Sequence, residues 1–489
     1  MSQPPQYGYP PQPPSGPSAP LPPAAQPPVQ PAPLSQFSAG AGGGGGTRPP
    51  AWRKPSLIGL VLALLLAAGG WALWSFTGDD PSGPKKPGNT AQGPAAGSVV
   101  WMADSRTKPD EKGLKEAVGT WFTDSLVVKA EPDMVTAYDI KTGKKKWSFL
   151  LTKELCAASR ESEGNIAVVS VKYGDVCTHL MAFDLRDGHR TWEELLIDEK
   201  EAGDSLNPKK WDKASPEIAL HDGHVYMTWA QGEQTRRLSD GKRVEEAKRD
   251  KCEMVGSAGG ARLISLTYCD GTRDPKLRSL DPKKLDKPKW EQLLRNDGHF
   301  TIISTDPLVL SQHPSKSGPN GYDFVVLDPD SGKEKTRVTF QSRWQVGSCQ
   351  LRISGCTGVM TDKETLYVSG KGVTMAYDLA TGKERWTFKA DENRYTMPLA
   401  GKNGQIALYT VATPDRRGRM TYADKSTGKA IRTVEHSDVE RDRKNEAMMN
   451  RIEGFPRLVN DRLLLINDGG FEDDQAGMIF AISAPAKKD

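Results

Sequence analysis

Gly372 to Lys389, GVTMAYDLATGKERWTFK, reads as two β-strands joined by a tight turn. Val373, Met375 and Tyr377 alternate with Thr374 and Ala376, a period of two. Asp378 opens the turn, because its carboxylate can accept a backbone N–H two residues on. Gly382 takes a positive φ at no steric cost. Trp386 and Phe388 alternate on the return strand.

The same unit recurs. Asp139 to Gly143 leads to Trp147, and Asp184 to Gly188 leads to Trp192. Asp328 to Gly332 and Asp424 to Gly428 keep the turn without the Trp. Gly follows Asp by four positions in all five copies, and Trp follows Gly by four in three of them. Five copies at a spacing near ~40–50 residues signal a propeller or another repeat array.

A second class of strand precedes each hairpin. Its members are Leu126–Lys129, Ile166–Val171, His224–Trp229, Arg262–Thr267, Leu308–Ser311, Thr365–Ser369, Gln405–Thr410 and Arg462–Asn467. Eight such strands predict eight blades. The fourth hairpin, Leu280 to Trp290, is looser; the third, around Arg236–Glu245, keeps only Gly241-Lys242. The last, Gly477–Ser483, stops after one strand, while the globular region begins with a lone strand, Ser98–Met102. This lone strand is expected to complete the last blade, with Trp101 in the part of Trp147 or Trp386. Closure of that kind leaves only short, protected sheet edges.

The residues AYDLATGKERW, AYDIKTGKKKW and AFDLRDGHRTW resemble the repeat of the pyrroloquinoline-quinone (PQQ)-binding-like β-propeller family. The resemblance spans roughly residues 98–483 and is poor near 230–260. It implies an all-β fold, an eight-bladed β-propeller of four-stranded antiparallel blades. It also implies that Asp and Gly shape the turns while Trp147, Trp192 and Trp386 pack between blades. The family includes quinoprotein dehydrogenases, a lipoprotein subunit of the bacterial outer-membrane β-barrel assembly machinery, and extracellular sensor domains.

Ahead of the propeller lie three segments of different character. Residues 1–50 hold sixteen of the 36 prolines and a Gly42–Gly46 run. Such a segment buries too little apolar area to offset its ordering entropy, so a disordered cytoplasmic tail is expected. It reads either as a solvated spacer or as a ligand for a proline-recognising domain. Leu57 to Phe76 is uncharged and rich in Leu and Ala. Twenty residues at ~1.5 Å each match a bilayer core of ~30 Å. Trp52, Trp71 and Trp74 flank or close it; Arg48, Arg53 and Lys54 precede it; Asp79 and Asp80 follow. The positive-inside rule then gives a single-pass transmembrane helix with the N-terminus cytoplasmic and the C-terminal domain extracellular, at the plasma membrane. A cleaved signal peptide is the rival reading, disfavoured by the fifty residues that come first. Residues 77–97 form a flexible tether, and the propeller runs over 98–483.

Net charge is +4, with 66 basic and 62 acidic residues interspersed, so nucleic acid is not an expected partner. The six cysteines, Cys156, Cys177, Cys252, Cys269, Cys349 and Cys356, all follow the apolar segment. An even number on the oxidising side fits disulfides. Fifteen pairings are possible, and neighbours are favoured: Cys156–Cys177, Cys252–Cys269 and Cys349–Cys356. Free core thiols are the alternative. No CxxC, CxxCH or adjacent Cys pair occurs, which removes a c-type haem and the vicinal disulfide of many quinoprotein dehydrogenases.

Other clusters read more plainly. His221 and His224 flank an Asp-Gly turn with no third metal ligand apparent. The acidic stretch Asp468, Glu472, Asp473, Asp474 matches no calcium-loop pattern and reads as a solvated loop. Gly259-Gly260 precedes a strand and has no helix after it, so it is no nucleotide motif. Two insertions break the spacing: Glu193–Glu217, with Trp211, and Thr433–Pro456. In the second, Ser437 to Glu440 suggests a capping box before Ala447, Met448, Met449 and Ile452 at helical spacing. A helix across one mouth of the ring, forming a binding surface or simply packing on the rim, is expected.

Three functions compete. The first is a non-catalytic binding or scaffolding module in the bacterial cell envelope, engaging an envelope protein or a small ligand, with no cofactor and no catalytic residue. The second is a PQQ- and calcium-dependent quinoprotein oxidoreductase. The third is a sensor working through an intracellular partner. The first is preferred, because the cofactor stack of the second cannot be placed on these residues.

Overall fold

The structure, a computed structural model, describes residues 94–484 apart from 105–118, 152, 174–175, 197–215, 230–231, 249–251, 270–274, 295–297, 315–320, 342–355, 392, 452–454 and 468–476. The chain divides into two units, Met1–Gly88 and Asn89–Asp489, and every described residue lies in the second. The tail at 1–50, the apolar segment at 57–76 and most of the tether lie outside the described residues. So do Trp211, Cys349, Ile452 and the acidic residues at 468–474. Among the described residues no helix is long and apolar enough to cross a membrane.

The strands form eight four-stranded antiparallel sheets. Blades 1 to 7 take their strands in chain order, over 120–150, 155–195, 217–248, 252–293, 298–341, 359–389 and 396–435. Blade 8 is built from Phe455–Val459, Arg462–Ile466, Gly477–Ser483 and, as its outermost member, Val99–Asp104. The N-terminal strand therefore closes the ring, with Trp101 opposite Ala481 and Ala103 opposite Ile479.

Blade 6 shows how sequence becomes a blade. Thr365–Gly370 pairs with Val373–Asp378, which pairs with Glu384–Lys389, so that Ala376 faces Trp386. Every residue of the second strand is buried, as in Leu126–Glu131 and Arg462–Ile466, because this strand lies inside the sheet and neighbouring blades cover both its faces. Outer strands such as Lys145–Leu150 alternate between exposed and half-buried residues instead.

The first strands of successive blades neighbour one another and so line the ring's axis. The apolar clusters join blades rather than fill them. Trp121, Val128 and Val135 of blade 1 pack with Val169, Met181 and Phe183 of blade 2. Trp121 meets Phe183 edge-on, with ring centroids 5.5 Å apart. At ~25 cal/mol per Å² of apolar surface buried, such seams carry the ring's cohesion.

Candidate functional site: seams, axis and rim

The expected turn residues assemble a device that recurs at the seams. Asp378 accepts hydrogen bonds from the N–H groups of Ala380 and Thr381 and from the Thr381 hydroxyl, at 2.8 to 3.0 Å. Arg385 first, then the Thr381 bonds, hold its carboxyl down at about 2. Asp328 is likewise held at about 2, by Lys335 and Ser331. The carboxylate thus caps two successive N–H groups, one more than the spacing alone suggested. The turn glycine closes the loop with φ between 68° and 76° at Gly143, Gly188, Gly332, Gly382 and Gly428.

That glycine serves a second purpose. A Cβ on Gly188 would lie 2.6 Å from Trp147, one on Gly428 would lie 2.6 Å from Trp386, and one on Gly332 would lie 2.5 Å from Trp290. The Trp of one blade rests on the turn of the next. The buried indole N–H of Trp147 makes no hydrogen bond among the described residues, but in other seams the indole N–H donates to the carbonyl just after the turn's first residue. Trp386 reaches Lys425 O at 2.9 Å, Trp290 reaches Pro329 O at 2.9 Å, and Trp192 reaches Leu238 O at 2.7 Å. Blade 3, which read poorly, keeps the device without the Asp. Arg237 stands in its place and pairs with Asp240, and Gly241 lies under Trp192 with φ 70°. Blade 5 lacks the Trp; Thr336, four residues after Gly332, donates its hydroxyl to Ala380 O at 2.9 Å.

Cys156 and Cys177 are joined by a disulfide, with Cα atoms 5.9 Å apart. It runs from the first to the third strand of blade 2, across the end of the second. Cys252 lies directly opposite Cys269 in the register of blade 4. Cys356 is disulfide-bonded.

The axial mouth holds the charged residues that sequence reading passed over. Arg160 follows the first strand of blade 2 and donates to the Ile302 and Ile303 carbonyls of blade 5, at 3.1 and 3.2 Å. Its neighbour Glu161 accepts from Gly259 N of blade 4 at 3.0 Å and Leu220 N of blade 3 at 3.4 Å. Glu163 accepts from Gly223 N at 2.8 Å. Thr305 donates to Gly259 O at 2.8 Å, and Arg262 to Thr305 O at 3.0 Å. Blades 2 to 5 are thereby laced together by side chains bound to backbone groups. Gly259-Gly260 is part of this lacing, and a Cβ at Gly259 would strike the Leu220 carbonyl.

Two half-buried carboxyls share this region. Burial pushes Glu161 up, against the opposing pull of Arg160 and of the Gly259 and Leu220 N–H groups. Burial pushes Glu217 up to about 7; Arg160 opposes the shift and the Glu161 charge adds to it. His221 hydrogen-bonds Gly260 O at 2.7 Å and His224 hydrogen-bonds Asp222 O at 2.6 Å, so each imidazole has a backbone partner. Among the described residues no three His, Cys, Asp or Glu side chains converge as a metal site.

The rim helix is Glu440–Arg451. The expected capping box does not form. Arg443 N bonds Val439 O, so the helix starts at Glu440, three residues beyond Ser437, and Glu440 pairs forward with Lys444 at 2.7 Å. The Ser437 hydroxyl accepts from Val439 N and donates to Asp442 at 2.9 Å. Met448 packs with Phe455, and Met449 with Tyr409 and Met420. Buried Glu446 accepts from Tyr409 and pairs with His436, both at 2.8 Å, which ties the helix to blade 7.

The family model described as outer membrane protein assembly factor BamB matches residues 90–251 and 319–473. The interval between the two matches covers blade 4 and the first two strands of blade 5, while blade 3, whose turn read poorly, lies inside the first match. No curated protein matches the chain. Among solved structures, the computationally designed Ika8 protein shares 12% identity over 79% of this chain and 99% of its own, with a TM-score of 0.48. BamB from Moraxella catarrhalis shares 12% over 79% and 98%, with a TM-score of 0.43. Quinohemoprotein alcohol dehydrogenase from Comamonas testosteroni shares 11% over 80% and 76%, with a TM-score of 0.44. At these values the structural likenesses carry no argument about function. The family match, over more than half of the chain, does identify its kin: the protein belongs to the family described as outer membrane protein assembly factor BamB.

Proposed function

We propose that this chain is a single-pass, membrane-anchored β-propeller held outside the cytoplasm, where it acts as a non-catalytic protein-binding module of the cell envelope. The family match carries the reading, since the family's description is that of an assembly factor. The axial mouth agrees with it: Arg160 and Glu161 bind backbone groups of the ring itself rather than facing a reaction centre. Recognition then falls to the rims and seams, on a rigid scaffold. Leu57 to Phe76 supplies the anchor and residues 1–50 the cytoplasmic tail. A fold alone hosts many functions, so the test addresses activity and topology together. Full-length protein in detergent, given PQQ, calcium and primary alcohols, should reduce a redox dye no faster than buffer. Protease added to intact cells should digest the propeller and leave the tail. Cofactor-dependent dye reduction would replace the binding module with an oxidoreductase; a protected propeller would reverse the topology.

A further inference from the structure

In each blade the turn between the third and fourth strands sits beside the turn between the first and second. Ile140 N bonds Ser125 O in blade 1, Leu238 N bonds Gly223 O in blade 3, and Leu379 N bonds Glu364 O in blade 6. Neighbouring blades present these turns on the same face of the ring: Asn460 of blade 8 donates to Asp124 O of blade 1 at 3.0 Å. The chain enters the ring on this face too. The Ser483 hydroxyl donates to Pro94 O at 3.4 Å, and Gly97 N bonds Ser483 O at 2.7 Å. The point of entry adjoins blade 1, whose Gly143 lies under Trp101.

Lysines crowd two of the turns between third and fourth strands, while in the others the cations are mostly paired off. Asp184 holds Arg186 in blade 2, Asp240 holds Arg237 in blade 3, Asp328 holds Lys335 in blade 5 and Asp378 holds Arg385 in blade 6, at 2.5 to 2.8 Å. Lys425 of blade 7 reaches Asp362 of blade 6 at 3.0 Å. Among the described residues, each of these five turns keeps at most one lysine without an ion pair. Blade 1 keeps Lys141, Lys144 and Lys145 after Asp139 has taken Lys146 at 3.5 Å, and its short first turn adds one acid, Asp124. Blade 4 keeps Lys283, Lys284 and Lys287, against Asp281 and Asp286. All six lysines are exposed.

We propose that the half of this face from blade 1 to blade 4 rests on the anionic phospholipid surface of the membrane that holds the chain. The face suits a flat partner, since seven of its eight turns between first and second strands have four residues or fewer. Residues 77–93, between the apolar segment and Pro94, span at most ~60 Å and keep the face within reach of the bilayer. A lysine close to an anionic bilayer contributes roughly fivefold in affinity, and salt screens the effect. Blades 5 to 7, with their cations mostly paired, occupy the other side of the ring. The inference rests on the membrane anchor proposed above.

Lysine acetylation read by mass spectrometry tests it on the full-length protein in nanodiscs, made of phosphatidylcholine alone or of equal parts phosphatidylcholine and phosphatidylglycerol. The lysines of the blade 1 and blade 4 turns should react several-fold more slowly in the anionic discs at low salt, and equally fast in both at high salt. Lys172 and Lys444, at the opposite end of the blades, should react alike in both. Lys141→Glu, Lys144→Glu and Lys145→Glu together should release the blade 4 lysines as well, which a change confined to blade 1 would not do. If that variant fails to fold, the salt dependence of wild type decides. A protein that does not enter the discs loses the anchor, and the proposal falls with it. Entry with equal reaction in both lipids, protection of Lys172 and Lys444 instead, or blade 4 protection that survives the variant overturns the docking and leaves the anchor standing.

Discussion

Gly97 N–H donates to the Ser483 carbonyl at 2.7 Å, and Ser483 N–H donates to the Ser98 carbonyl at 2.9 Å. Gly143 and Asp139 make the same pair of bonds inside a continuous turn, Gly143 N to Asp139 O at 2.8 Å and Asp139 N to Lys144 O at 2.9 Å. Blade 8 is thus an ordinary hairpin whose loop is missing. Gly97 keeps the positive φ, 82°, and Trp101 follows four residues later, as in an intact repeat.

Removing Ser98–Met102 strips the outer strand from blade 8 and uncovers Gly143, over which Trp101 lies with its indole bonded to Ile140 O at 3.0 Å. Trp101→Ala alone should cost about 3–5 kcal/mol, and the deletion more. Thermal melting of the two variants checks this. Unchanged midpoints would contradict the closure.

Thr336 stands in for the missing Trp of blade 5 through one hydrogen bond to Ala380 O. Thr336→Val keeps the shape and removes the bond. A loss of about 1 kcal/mol in urea unfolding is expected. A larger loss should appear for Trp386→Ala, which removes both packing and bond.

Stability should fall with rising pH across the Glu217 transition. The folded carboxyl, at about 7, holds a proton that the unfolded chain releases near 4.5. The native state therefore binds the extra proton between these values, and its contribution is whole below the lower one and lost above the upper one. Denaturation midpoints measured from pH 4 to 8 should slope downward in wild type, and Glu217→Gln should flatten that slope. An unaltered slope would remove Glu217 from the account.

The Cys156–Cys177 bridge closes a loop with a sequence separation of 21. Replacing both by serine should cost about 3 kcal/mol. Mass spectrometry without reductant checks the bridge, and a calorimetric melt checks the cost.

The turns, the second strands and the ring closure were legible because each rests on local chemistry repeated many times. The first strands were not. Thr120–Phe122 and Val359–Thr361 are three residues long, and register shifts interrupt Leu155–Ala158, Cys252–Ala258, Gly298–Thr305 and Thr396–Lys402, which breaks the period of two. The Gly97–Trp101 spacing was a readable signal that passed unnoticed, because its turn partner, Ser483, lies at the other end of the domain. Arg160 and Glu161 look like surface residues in the sequence. Their partners, Ile302, Ile303, Gly259 and Leu220, come together only when the ring closes. At the rim helix Glu440 pairs with Lys444 and the Ser437 hydroxyl with Asp442, so the reciprocal bonds that the Ser437–Glu440 spacing suggests are not made.

The binding role itself is tested most directly in intact cells. A photo-crosslinking amino acid placed at exposed rim positions of the full-length chain, such as Lys333 or Lys444, should yield discrete protein adducts that depend on the position of the crosslinker. Crosslinking to lipid alone, or to no macromolecule at any rim position, would contradict the account.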